Sequence, residues 1–200
     1  MPIKAKFIPL LILIASALAI YTILVIQEFD TALLDLFLRS TGIVSFLLFT
    51  LSFGISAIHY VFKDPITKRI LRRRKAFGLT FAGFFAIHFS LIGVKSVILG
   101  DRFNADPSLE TILVVFAVLI MSITSIPSVI KKLGASKWKA IHLICGFYIA
   151  LGLIKFYIMS LNRIDHALLF LIIMFSVLTL KLVMHMHRAY LKRKGVYTKK

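Results

Sequence analysis

The stretch RRRKAFGLTFAGFFAIHFSL, Arg72–Leu91, decides the fold class. Four consecutive cations open directly into an apolar run that meets no further Lys, Arg, Asp or Glu until Lys95. From about 76 to 98 the run has roughly the 20 residues an α-helix needs to cross about 30 Å of hydrocarbon. Lipid offers the backbone no hydrogen-bond partners, so a segment of this kind is a helix. Near its centre stands one titratable ring, His88, and a polar ring in hydrocarbon needs a reason.

The pattern recurs along the chain. Apolar blocks at about 7–27, 42–62, 109–130, 139–160 and 166–186 join 76–98 to give six segments of membrane-crossing length. The fold class is therefore an all-α integral membrane protein: one six-transmembrane-helix bundle over 1–200, with a basic tail at 187–200. Composition agrees, since 60% of the residues are hydrophobic and 16% charged, against about 45–50% apolar in soluble domains. The first block has the basic start and small residues of a signal peptide (Lys4, Lys6, Ala15-Ser16-Ala17). It runs on to Ile26, past an h-region of roughly 7–15 residues, and reads as a retained helix. The loops are too short for a nucleotide-binding strand–turn–helix fold, so NAD(P)H or FAD chemistry belongs to another chain. The single cysteine, Cys145, forms no intrachain disulfide and reads as a small hydrophobe.

The net charge of +17 is distributed by side. With the N-terminus inside, the inner segments hold 19 of the 25 Lys and Arg, and the outer segments hold only Arg39, Arg102 and Arg163. Seven of the eight acids lie outside, Asp64 being the exception. Cationic loops stay cytoplasmic, so both termini are expected there. The basic loops suit anionic lipid headgroups. No nucleic-acid role is expected, because no soluble basic fold or aromatic–basic platform is present. Pro127 is expected to kink the fourth helix near its inner end.

Seven ionisable groups fall within the apolar blocks: His59, His88, Lys95, His142, Lys155, Lys181 and His185. Counted along the helices, His59 and His142 share an inner level. His88 lies roughly 20 Å from the inner boundary, loosely level with Lys155. Histidines on facing helices suit a non-covalent haem between them; a histidine that only hydrogen-bonds a neighbouring helix has the same pattern. Lys181 is expected to snorkel to the inner surface. His185 and His187 read as interfacial, with an inner-level ligand role open to His185. His166 reads as a solvated residue at the outer end of the last helix.

The Arg72–Leu91 stretch resembles the R-R-x-x-G-L…H opening of the third helix in the ferric-reductase-like transmembrane family. Within that family the chain is most similar to the haem-binding membrane subunits of bacterial periplasmic methionine sulfoxide reductases. KKLGASKWKAIHLICGFYIALGLIKF, Lys131–Phe156, resembles the family's L-G-x-x-x-W-x-x-L-H…H segment, and STGIVSFLLFTLSFG, Ser40–Gly54, resembles its second helix. The similarity covers most of residues 40–160 in the right order.

The resemblance implies a cytochrome b-like electron-transport subunit of an oxidoreductase in the bacterial cytoplasmic (inner) membrane. It implies one or two b-type haems, with His88 and His142 as the iron ligands. Electrons would enter from a cytoplasmic flavin reductase, FMN or the quinone pool and leave to a periplasmic reductase subunit. Arg73 and Arg74 would bind haem propionates or a flavin phosphate, since Arg forks match such oxygens. The chain departs from the family at Lys155, where a second histidine is expected. Lys155 is left with three roles: ligation as a neutral amine, snorkelling, or pairing with a propionate, a role equally open to Lys95. By depth the inner pair His59–His142 suits one iron better than His88–His142. The alternative is a haem-free transporter, channel or assembly factor derived from the same fold.

Overall fold

The structure, a computed structural model, describes residues 31–99 and 108–195. The expected first helix, 7–27, lies outside the described residues. Within them all regular structure is α-helical. Four helices are long and apolar enough to cross a membrane: α1 (Thr31–Phe62), α3 (Arg74–Leu99), α6 (Ala135–Met159) and α7 (Ala167–Arg193).

α1 starts well before the apolar block at 42. Two polar residues, Asp35 and Arg39, interrupt the hydropathy there. The helix continues across them because Asp35 is paired with Lys95 of α3 and Leu34 packs on Leu91 and Val94. At the other end Lys63 adopts a left-handed backbone (φ 50) and reverses the chain. Asp64 then caps the short α2 (Pro65–Arg72). Its Oδ1 accepts the amides of Ile66 at 2.8 Å and Thr67 at 2.9 Å, and Pro65 fills the first turn, where an N–H is dispensable.

The fourth apolar block is not one straight helix. α4 (Leu109–Thr124) stops short of 130, and α5 (Pro127–Leu133) leaves it at 91°. Pro127 has no N–H for the carbonyl of Ile123, and Ile126 donates to that carbonyl instead at 3.1 Å. The hydroxyls of Ser122, Thr124 and Ser125 bond back to carbonyls four residues earlier at 2.6–2.7 Å, which favours bending here. The expected kink is thus a turn. Counted as one broken span, α4 and α5 make a fifth crossing segment.

α1 is the hub, packed on α3 and α7, while α6 packs on α4 and α7. Phe46, Phe49 and Phe53 line one face of α1 at helical spacing. Phe46 stacks on Phe170 of α7 at 4.5 Å and meets Tyr157 of α6 edge-on at 5.3 Å. Phe49 meets Phe81 of α3 at 5.2 Å. Outward faces stay apolar, with Leu113, Phe116 and Ile120 of α4 and Leu168, Ile172 and Phe175 of α7 exposed. Such faces are consistent with a membrane protein, where lipid covers them.

Candidate functional site

Three histidines each meet a threonine on another helix. His88 Nδ1 lies 3.1 Å from Thr41 Oγ1, whose proton goes to the carbonyl of Phe37 at 2.7 Å. With that proton so placed, the hydroxyl oxygen can accept from Nδ1 in the tautomer protonated there. It also lies against Gly42, where an added Cβ would come within 3.2 Å of His88 Cε1. His142 repeats the device on α6. Its Nε2 lies 3.1 Å from Thr124 Oγ1, which donates to the carbonyl of Ile120 at 2.6 Å. His59 Nδ1 lies 2.8 Å from Thr67 Oγ1, which donates to Asp64 Oδ2 at 2.7 Å.

The two outer lysines meet carboxylates. Lys155 pairs with Glu110 at the first turn of α4, and Lys95 pairs with Asp35. Arg73 caps α2 through its backbone and is exposed, whereas Arg74 turns inward and its Nε donates to the carbonyl of Ser52 at 2.7 Å.

A cavity of about 610 Å³ opens among α1, α3, α4, α6 and α7 at the end of the bundle that carries the basic segments. Cofactor sites have volumes of roughly 300–1,000 Å³. Its floor is apolar: Phe49, Phe53, Phe81, Val118 and Met121. Two imidazoles line it, His142 and His185. So do six cations: Arg72, Arg74, Lys75, Lys139, Lys181 and Arg188. None of the described lining residues is acidic. Gly78 lines it as well, and a Cβ there would meet nothing within 4 Å.

Of the residues expected from the sequence, the cavity gathers His142 and Arg74. His88, His59, Lys95, Lys155 and Arg73 do not line it. The expectation for Lys181 is corrected. Its side chain does not run to the surface; it is 3% exposed, its Nζ reaches the carbonyl of Phe53, and it sits 3.9 Å over the Phe53 ring. The α1 carbonyl accepts a second bond there, and the aromatic face adds cation–π attraction. His187 meets the Tyr60 hydroxyl and is exposed, as an interfacial residue should be.

Sequence reasoning passed over Trp138, Lys181 and Arg188 as site residues and left His185 open. Among the described residues five buried side-chain atoms have no partner: Ser45 Oγ and Thr50 Oγ1 on α1, away from the cavity, and Trp138 Nε1, His185 Nε2 and Arg188 Nε, whose residues line it. The available signal was spacing, because Lys181, His185 and Arg188 stand four and three apart on one face of α7. The chain matches no family model, no curated protein and no solved structure.

Proposed function

We propose that the chain is a b-type haem-binding membrane subunit of the ferric-reductase-like class, with haem held in the cavity at the basic end of the bundle. In this reading it passes electrons from cytoplasmic flavin or quinol to a periplasmic reductase in the bacterial inner membrane. Both termini lie in the cytoplasm, as the charge bias requires. One observation carries the proposal: a single cavity holds two imidazoles, a phenylalanine floor and a cationic wall. Haem has the matching parts, an iron that takes imidazole, an apolar macrocycle and two carboxylates.

His142 and His185 would hold the iron in this reading, and His88 would not. Phe49, Phe53 and Phe81 would exclude water from the ring, and Gly78 leaves room beside it. Arg74, Lys181 and Arg188 would face the carboxylates. Bound haem supplies a one-electron iron couple; the chain contributes ligands, burial and nearby charge, which set its potential. His142 Nε2 is engaged by Thr124, so ligation through that atom exchanges the threonine bond, and Thr124 acts as a positioning residue.

Lys155 favours the rival, a haem-free membrane protein, because it stands where the resembled family has histidine and is tied to Glu110. A visible spectrum of protein purified after expression with ample haem separates the two. The expected result is a Soret band and, after dithionite, a b-type α band. These are lost in His142→Ala and His185→Ala and kept in His88→Ala. A colourless wild-type protein selects the rival.

A further inference from the structure

Arg74 of α3 and Lys181 of α7 are anchored side by side on α1. Arg74 Nε donates to the carbonyl of Ser52 at 2.7 Å, and Lys181 Nζ donates to the next carbonyl, that of Phe53. Both partners are neutral carbonyls, and neither basic group meets a carboxylate here. Arg188, three residues after His185 and seven after Lys181 on α7, faces the same cavity with its guanidinium 5.0 Å over the Tyr60 ring. Its Nε has no partner among the described residues, and neither do Trp138 Nε1 and His185 Nε2. Buried polar groups are normally satisfied, and buried cations are normally paired. Here three unpartnered nitrogens and the basic groups of Arg74, Lys181 and Arg188 converge on one volume whose described lining contains no carboxylate.

We infer that Arg74, Lys181 and Arg188, with Trp138, form a binding site for a compact oxyanion carried on an amphiphile. The oxyanion is a phosphate or carboxylate group, for which guanidinium and ammonium donors are suited. The carrier is amphiphilic because the floor next to the cations is Phe49, Phe53 and Phe81. The phosphate of an anionic phospholipid and the carboxylates of haem share this chemistry, as does free phosphate. The site goes beyond the haem reading and does not depend on it.

The test uses the purified full-length chain and three probes. Inorganic phosphate is titrated in neutral detergent, phosphatidylglycerol is compared with phosphatidylcholine in nanodiscs, and haem is titrated by absorbance. Wild type, Lys181→Met and Arg188→Gln are compared. Arg188→Gln keeps most of the side-chain volume and serves if Lys181→Met folds poorly. At least one probe should raise the thermal midpoint or bind saturably, with half-saturation weakened by about tenfold or more in Arg188→Gln, the loss of one charge-assisted hydrogen bond. The responding probe identifies the source. Response to phosphate or phosphatidylglycerol with no haem uptake upholds the oxyanion site and removes the haem reading. Haem uptake equal in wild type and both variants, with no response to phosphate or phosphatidylglycerol, overturns the oxyanion site and leaves the haem reading intact. No response of wild type to any probe overturns both.

Discussion

Thr41 Oγ1 lies 3.1 Å from His88 Nδ1 and donates to the carbonyl of Phe37 in its own helix at 2.7 Å. The pair joins α1 to α3 and leaves His88 packed on Gly42. One nitrogen of a polar ring in an apolar helix thereby finds a partner on the neighbouring helix. Interhelical bonds of this kind in membranes average about 0.6 kcal/mol and reach about 1.7 kcal/mol. His88→Ala and Thr41→Val should each destabilise the bundle, with a coupling in that range when combined. Denaturant unfolding in detergent measures it. Haem content per folded protein should not change in either variant; its loss in His88→Ala alone would return His88 to the ligand set.

α7 packs tightly on α1 at Gly54, where an added Cβ would sit 2.8 Å from Val177 Cγ1. Gly54→Ala should cost about 1–3 kcal/mol through overpacking. Adding Val177→Ala should restore most of that, because the colliding methyl is gone. Unfolding midpoints of the two single variants and the double variant decide it, and simple additivity would show that the two sites do not touch.

Lys155 and Glu110 form an ion pair whose side chains are 54% and 57% exposed. Exposed pairs contribute roughly 0–1 kcal/mol. Lys155→Ala should leave stability within that margin and the haem spectrum as in wild type. Lys155→His should likewise leave the spectrum unchanged, because the position faces Glu110 and not the cavity. A shift toward low-spin bis-histidine character in that variant would establish an outer haem site.

The Asp64 carboxyl is held below the usual value of 3.8 chiefly by the Thr67 amide and hydroxyl, against an opposing desolvation, with the Ile66 amide adding less. These bonds favour the ionised form in the folded state. Their contribution is complete above the unfolded value, near pH 4, and is lost as the pH falls through the lower folded value. Amide exchange across α2, corrected for intrinsic rates, should be flat from about pH 7 to 5 and rise several-fold below about pH 4. Asp64→Asn keeps the cap but not the charge, so it should remove this acid limb. Persistence of the acid limb in Asp64→Asn would assign it to another group.

The sequence by itself determined where helices form. Apolar runs such as 76–98 and 139–160 reappear as α3 and α6 with small shifts at their ends, because a backbone in lipid has to bond within its own segment. It marked Pro127 as a break too, since a missing N–H is a local fact, although the expected kink is a 91° turn between two helices. Position along each helix follows from residue count alone, because the rise per residue is fixed. Only the tertiary structure decided which ionisable groups face one another. His59 and His142 share an inner level by residue count, yet each meets its own threonine, Thr67 and Thr124. Lys181 had the pattern of a snorkelling lysine and lies instead against Phe53, on the wall it shares with His142, His185 and Arg188. Depth is a property of one helix, but direction depends on how helices rotate and pack. That rotation is set by close contacts such as Gly54 on Val177 and Phe46 on Phe170, between residues far apart in the chain.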